Sequence, residues 1–264
     1  MMSHDYGLEL TSNSKVGWAF SLERSKSCIG ATELCRKLCY GNNVRYQTAG
    51  QKAKRARNFR TVQLLLERGG PKLLAENLVM LIDQARPGDW LAAQVTGCAT
   101  SVPWTVRIHD VGDFHSVEYV QAWLLAAKSR PHCAFWFYTR SFTQPDVLAM
   151  LGALARLDNV QGWLSVDSDN YSQAILALCN APTGTWKLAL LQDQDLHPDA
   201  LPSIAEVAKN IVSFPYHRSG RHVTPIRHKV LTVCPAVTGS YELHNRVSEP
   251  KPCQACSFCL PALS

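Results

Sequence analysis

"CAFWFYT", residues 133 to 139, carries no charge and runs straight into Arg140. A strand with one wet face would alternate apolar and polar residues. An unbroken apolar run of this length, bounded by helical stretches, instead fits a strand buried on both faces, as in parallel sheets. Five more runs have the same character: "VGWAFSL" (16–22), "WTVRIHD" (104–110), "VQGWLSVD" (160–167), "WKLALLQ" (186–192) and "NIVSFPY" (210–216). Helical patterns lie between them, at 43–68, 71–85, 116–129, 145–157, 171–180 and 199–209, with Pro71 well placed to open the second. Strand and helix therefore alternate, which predicts an α/β architecture with a parallel sheet. The residues themselves leave two closures open, a partial barrel and an open doubly wound sheet.

The strand ends are polar. His109, Asp110, Gly112 and Asp113 follow one run, and Tyr138, Thr139 and Arg140 close another. Ser165, Asp167 and Asp169 follow the next, then Gln192 and Asp193, then His217 and Arg218. Parallel α/β folds build ligand sites from the carboxyl ends of several strands. Asp113, Arg140 and Asp167 are therefore the candidate catalytic or substrate-positioning residues, with Gly112 supplying a tight turn. Helix caps also recruit Asp, Ser and Thr, but that does not account for Arg140 or the histidines. No serine triad, phosphate-binding P-loop or G-x-G-x-x-G segment is present in the sequence, so hydrolase, phosphotransferase and dinucleotide readings lack support.

Seven of the ten cysteines fall into two knots. Cys234 stands before Pro235, and Cys253, Cys256 and Cys259 follow as C-x2-C-x2-C. In a cubane iron–sulfur cluster each thiolate takes a different iron, so one tight loop can supply three ligands. A single zinc needs its thiolates to converge at about 2.3 Å, usually from two separate knuckles. The spacing predicts a [4Fe–4S] cluster, with zinc as the other metal. The first knot, "CIGATELCRKLCYG" (28–41), offers Cys28, Cys35 and Cys39. A second cluster there would have its fourth position open, or closed by a protein group or Cys98. Cys98, Cys133 and Cys179 lie in or beside apolar segments and are expected in the core.

The chain of 264 residues is 46% hydrophobic with a formal net charge of +6. It has no apolar leader and no run of eighteen apolar residues, so no membrane partner is expected and a cytoplasmic location is. Two segments are basic: "QKAKRARNFR" (51–60), with Lys52, Lys54, Arg55, Arg57 and Arg60, and "HRSGRHVTPIRHK" (217–229), with Arg218 and Arg221. If these share a face they would contact phosphates of a nucleic acid or nucleotide. A solvated helix face and an exposed loop would carry the same residues. Phe142, Trp163 and Tyr216 are aromatics that could stack on bases, although Trp163 suits a buried position better.

The segments "GWAFSL", "LCRKLCY", "RIHDVGDF", "FWFYTRSF", "WLSVDSDN" and the Cys-Pro followed by C-x2-C-x2-C resemble the phage and plasmid gene product 88 family over nearly the whole chain. That resemblance implies iron–sulfur ligands and a mobile-element setting. More distantly, the layout is similar to radical S-adenosylmethionine enzymes, whose first knot is C-x3-C-x2-C where this chain has C-x6-C-x3-C. This second likeness implies a six-stranded partial (βα)6 TIM-like barrel over residues 1–230 and a cysteine-rich cluster-binding extension over 231–264. It also implies S-adenosylmethionine as a candidate cofactor, with Gly112 and Asp113 beside its amino group and Ser165 and Asp167 near its ribose. Two functions are expected on this basis. One is redox or radical chemistry at the mouth of the barrel, on a nucleotide or nucleic acid. The other is a non-catalytic iron–sulfur protein that binds nucleic acid in a structural or redox-sensing role.

Overall fold

A computed structural model describes residues 6–98, 102–192, 211–215, 232–234 and 250–261. The chain begins with a short hairpin, β1 (Thr11–Asn13) and β2 (Gly17–Ala19), and then enters the first cysteine loop with α1 (Arg24–Ser27), α2 (Glu33–Leu38) and α3 (Val44–Gln47). Next come the long α4 (Ala49–Gln84) and α5 (Trp90–Thr96). The alternating part follows as β3 (Thr105–Ile108), α6 (Val117–Lys128), β4 (Ala134–Thr139), α7 (Pro145–Ala155), β5 (Val160–Val166), α8 (Tyr171–Cys179) and β6 (Trp186–Gln192). The last described elements are β7 (Ile211–Pro215), β8 (Thr232–Val233) and α9 (Pro252–Cys256). The helix expected at 199–209 lies outside the described residues.

All six expected strands form, but they do not make the six-stranded partial barrel. They belong to an open eight-stranded sheet in the order β1 to β8, antiparallel between β1 and β2 and parallel throughout the rest. The two additional strands sit at the edges and are three and two residues long. In the long helical region, α4 breaks at Gly70, whose φ of 64° and ψ of −162° are not helical, immediately before Pro71. The chain thus makes two helices there, with the proline opening the second, as its fixed φ and missing N–H favour.

Neighbours in sequence are neighbours in the sheet, and the described helices α4, α6, α7 and α8 gather on one face of it, as same-handed crossovers between adjacent parallel strands require. That face carries Val106, Ile108, Phe135, Phe137, Leu164, Val166, Leu188 and Leu190, buried against residues of α4, α6, α7 and α8 such as Leu78, Trp123, Leu151 and Ala174. The opposite face carries Trp136, Tyr138, Trp163, Ala189 and Val212. Here Cys234, Cys253, Phe258, Cys259 and Leu260 cover it, all from the chain beyond residue 231. Both faces of "CAFWFYT" are therefore dry, which is why the run lacks alternation. Phe135 and Phe137 are fully buried on one side and Trp136 is 1% exposed on the other. Each such side chain contributes roughly 1.5–3 kcal/mol through burial. The cysteine tail thus forms the second cover of the sheet, and β8 joins its edge.

Candidate metal centres

The first cysteine loop leaves the sheet where β2 ends. Phe20 N–H donates to the Arg107 carbonyl at 3.0 Å, and Leu22 N–H to the Val111 carbonyl at 2.8 Å, so the chain stays laced to the β3 side as it rises. Cys28 follows α1, Cys35 rides on α2 and Cys39 ends it. Thr32 caps α2, its hydroxyl accepting from Cys35 N–H at 3.0 Å. Two glycines let the loop lie this close. A Cβ on Gly30 would stand 2.1 Å from the Arg140 carbonyl oxygen, so the loop crosses the end of β4 by bare backbone contact. Gly112 has a φ of 101°, and a Cβ there would stand 2.9 Å from Leu22 Cβ and 3.0 Å from Ser27 Oγ.

The strand-end residues meet this loop. Asp113 is buried and accepts from Thr139 Oγ1 at 2.7 Å, Arg140 N–H at 2.8 Å and Phe114 N–H at 2.8 Å. Asp167, with no exposure, accepts from Thr32 Oγ1 at 2.7 Å, from Asp169 N–H at 3.1 Å and from the Arg140 guanidinium, which forms an ion pair with it. Arg140, Asp167 and Thr32 therefore staple the cap of α2, and with it Cys35, to the ends of β4 and β5. Asp113 joins β4 to the turn after β3. Burial raises the Asp113 pKa to about 6, although the Arg140 and Phe114 N–H groups and the Thr139 hydroxyl favour its ionised form. Ser165 lies on the tail-covered face, where its carbonyl accepts from Asn170 Nδ2 at 3.1 Å. His109, expected at the mouth, is instead buried among the helices at a φ of 65°, its Nε2 2.8 Å from the Tyr119 hydroxyl. Asp193, His217 and Arg218 lie outside the described residues.

Cys28, Cys35 and Cys39 lie within electrostatic reach of one another, with Asp113 acting on Cys28 and Arg140 on Cys35. The Cys28 thiol is pushed far up, first by burial and then by the charges of Asp113, Cys35 and Cys39. Burial also raises Cys35, against the pull of the Arg140 guanidinium. The remaining cysteines separate by environment. Cys133 is buried as expected, whereas Cys98 and Cys179 are exposed because each lies at the C-terminal end of a short helix.

The tail set assembles on the other face of the sheet. Cys253 N–H donates to the Lys15 carbonyl at 2.9 Å, and Gln254 Nε2 donates to Thr105 Oγ1 at 2.9 Å, which seats α9 on β2 and β3. Ser257, left-handed with a φ of 53°, ends α9 and turns the chain so that Cys259 reaches Tyr138. The Tyr138 hydroxyl donates to Cys259 Sγ at 2.9 Å, and Trp163 Nε1 donates to the Cys259 carbonyl at 3.1 Å. Lys15 Nζ stands 4.0 Å from Cys234 Sγ. Burial pushes the Cys259 thiol up to about 12; the Tyr138 hydroxyl opposes this, and Cys253, Cys234 and Cys256 add to it. The four tail cysteines thus lie within electrostatic reach of one another.

Both sets are chemically apt for a metal group. Buried thiols with raised pKa stay protonated unless a cation compensates the thiolates, and coordination does that directly. Among the described residues, no three His, Cys, Asp or Glu side chains are grouped closely enough to hold one metal ion. Thiolates on a single zinc would stand roughly 3.8 Å apart, from tetrahedral bonds of about 2.3 Å. A cubane instead distributes its thiolates over separate iron corners.

Arg107, on β3, lies between the two sets and was not singled out by the sequence. Its Nη2 donates to the Tyr40 hydroxyl at 3.2 Å, its Nε to the His109 carbonyl at 3.1 Å, and its guanidinium sits 5.0 Å from the centroid of the Tyr138 ring. Burial opposes its charge, but Tyr40, Asp110, Tyr138 and Cys253 more than offset that and hold its pKa above the usual value. A charged residue inside "WTVRIHD" was the available signal. The basic segment 51–60 does not form one face. Lys54 and Arg57 both pair with Glu9, and Arg55 is buried, donating to the Tyr46 carbonyl at 2.6 Å. Lys52 and Arg60 remain exposed, while Arg218, Arg221 and Tyr216 lie outside the described residues. Phe142 and Trp163 are buried and present no ring for stacking.

The profile of the family described as gene product 88 matches residues 5–261. The chain belongs to the gene product 88 family. It is similar to the Gene 88 protein of Mycobacterium phage L5, 30% identical over 167 residues that cover 61% of this chain and 63% of that protein. It is also similar to the Gene 88 protein of Mycobacterium phage D29, 28% identical over 167 residues covering 61% and 62%. The matched stretch thus spans less than two thirds of the length of these curated relatives. No solved structure matches the chain. Among the described residues, no helix of this gene product 88 protein is long and apolar enough to cross a membrane.

Proposed function

We propose that this gene product 88 protein is an iron–sulfur redox protein with two [4Fe–4S] clusters. Cys28, Cys35 and Cys39 would hold the reactive one at the strand ends, and Cys234, Cys253, Cys256 and Cys259 the other on the tail-covered face of the sheet. The observation that carries this is the placement of the two thiol groups by a single sheet: the loop with Cys28, Cys35 and Cys39 lies across the strand ends at Arg140, and the tail brings Cys234 onto the same face as Cys253 and Cys259. A bound cluster would supply one-electron transfer. The chain's own contribution is positioning: Asp167, Arg140 and Thr32 fix Cys35, while Gly30 brings the loop onto the end of β4. The loop itself supplies three cysteines, so its remaining position falls to a protein group or to an incoming ligand.

S-adenosylmethionine is the incoming ligand that this proposal names for testing, and radical chemistry the reaction class. The Asp113 oxygens are taken by three internal donors, so Asp113 acts in this reading as a brace for the turn. Anaerobically reduced protein is expected to change its low-temperature paramagnetic resonance spectrum when S-adenosylmethionine is added, and to release 5′-deoxyadenosine. An unchanged spectrum with no cleavage would remove the radical reading. It would favour the non-catalytic one, in which the clusters are structural or redox-sensing in a nucleic-acid-binding protein.

A further inference from the structure

We propose that the surface strip from Glu33 to Lys52, at the rim of the first cysteine loop, is a binding site for single-stranded nucleic acid, with Tyr40 as its stacking platform. This deepens the reading above, on which it rests only for what the bound strand would meet at Cys39. The strip is a run of short helices, α2, a 3-10 turn at Tyr40–Asn42, α3 and the first turn of α4. Arg36, Lys37, Arg45 and Lys52 are all exposed on it. None of the four pairs with a carboxylate among the described residues, including Glu33, the strip's single acidic residue. They differ in this from Lys54 and Arg57, which share the Glu9 carboxylate.

Tyr40 supplies the second observation, because it is oriented the wrong way round for an ordinary surface tyrosine. Its hydroxyl points inward, donating to the Asp110 carbonyl and accepting from Arg107, while the residue as a whole is 44% exposed. The polar end is tethered inward although much of the residue stays accessible, with the Tyr46 ring edge-on at 5.7 Å and the Arg45 guanidinium 4.9 Å from the Tyr46 centroid. Val44 beside it is 85% exposed. A tyrosine held by its hydroxyl, on a strip whose four exposed cations have no carboxylate partner among the described residues, suits an unstacked base and its phosphates. Bases in a duplex offer no free face to such a ring.

The test is fluorescence anisotropy of a labelled single-stranded oligonucleotide of mixed sequence, titrated with the full-length protein across a salt series. Tyr40→Ala is expected to weaken binding between about fivefold and 150-fold, and Tyr40→Phe, which keeps the ring, to bind nearly as the parent does. Reversing Arg36, Lys37, Arg45 and Lys52 to Glu should flatten the slope of log affinity against log salt by about three, from roughly 0.7 per phosphate contact. Reversing the distant exposed Lys72 and Lys128 should leave that slope in place. The inference is overturned by absence of binding, by equal loss in the Lys72 and Lys128 control, by Tyr40→Phe failing as badly as Tyr40→Ala, or by polyglutamate competing as well as unlabelled oligonucleotide. Iron content measured on the same samples keeps the two claims apart. Binding without iron sinks the cluster reading alone, and iron without binding sinks this one.

Discussion

Arg140→Ala is expected to cost about 3–5 kcal/mol of folding stability, because it strands Asp167 without a counter-charge in a site with no solvent exposure. Burying two charges is expensive, so the intact pair need not add much by itself. Removing one partner is what exposes the full desolvation cost of the other. The double variant Arg140→Ala with Asp167→Asn should therefore lose less than the sum of the two single changes, which a double-mutant cycle in chemical denaturation reads directly. The same change removes the Arg140 contact to Thr32 and the counter-charge of the Asp167 that holds it, which loosens the cap of α2. Cys35 and Cys39 should then react faster with a thiol reagent than in the parent protein. A loss of less than about 1 kcal/mol would mean that the pair is solvated and does not hold the loop.

Cys256→Ala is expected to remove about four irons per chain, one cubane, while leaving the first set loaded. It should also lower thermal stability, because the tail is the only described cover of the Trp136, Tyr138 and Trp163 face and metal binding contributes to folding directly. Iron analysis and a melting curve on the same preparation check both parts. Loss of both clusters together, or of neither, would contradict two independent sets.

The central strands were legible because they are largely dry on both sides. "CAFWFYT" and "WKLALLQ" stand out as runs once helices cover one face and the tail the other. The edge strands were not legible: β1 is the polar tripeptide Thr-Ser-Asn and β8 a dipeptide, and neither has a hydrophobic pattern. Closure into a barrel was misjudged because it depends on whether edge strands find each other, which no local pattern encodes. The cysteines stand out in the sequence as two spaced groups, and the metal they hold is proposed from that spacing. The roles of Asp113 and Asp167 were harder to read, because a carboxylate at a strand end looks the same whether it faces a ligand or, as here, backbone and hydroxyl donors. The run at 51–60 was hard to read for a related reason. Its charges are assigned by tertiary partners, Glu9 for Lys54 and Arg57 and the Tyr46 carbonyl for Arg55. Arg107 and the inward hydroxyl of Tyr40 follow from how β3 meets the cysteine loop, a relation invisible until the chain is folded.

The most direct test of the two-cluster reading is quantitative iron, acid-labile sulfide and zinc analysis of full-length protein purified without oxygen, alongside its absorption spectrum. The account predicts about eight irons and eight sulfides per chain, with the broad visible absorption of iron–sulfur charge transfer. One or two zinc ions per chain with no sulfide would contradict it.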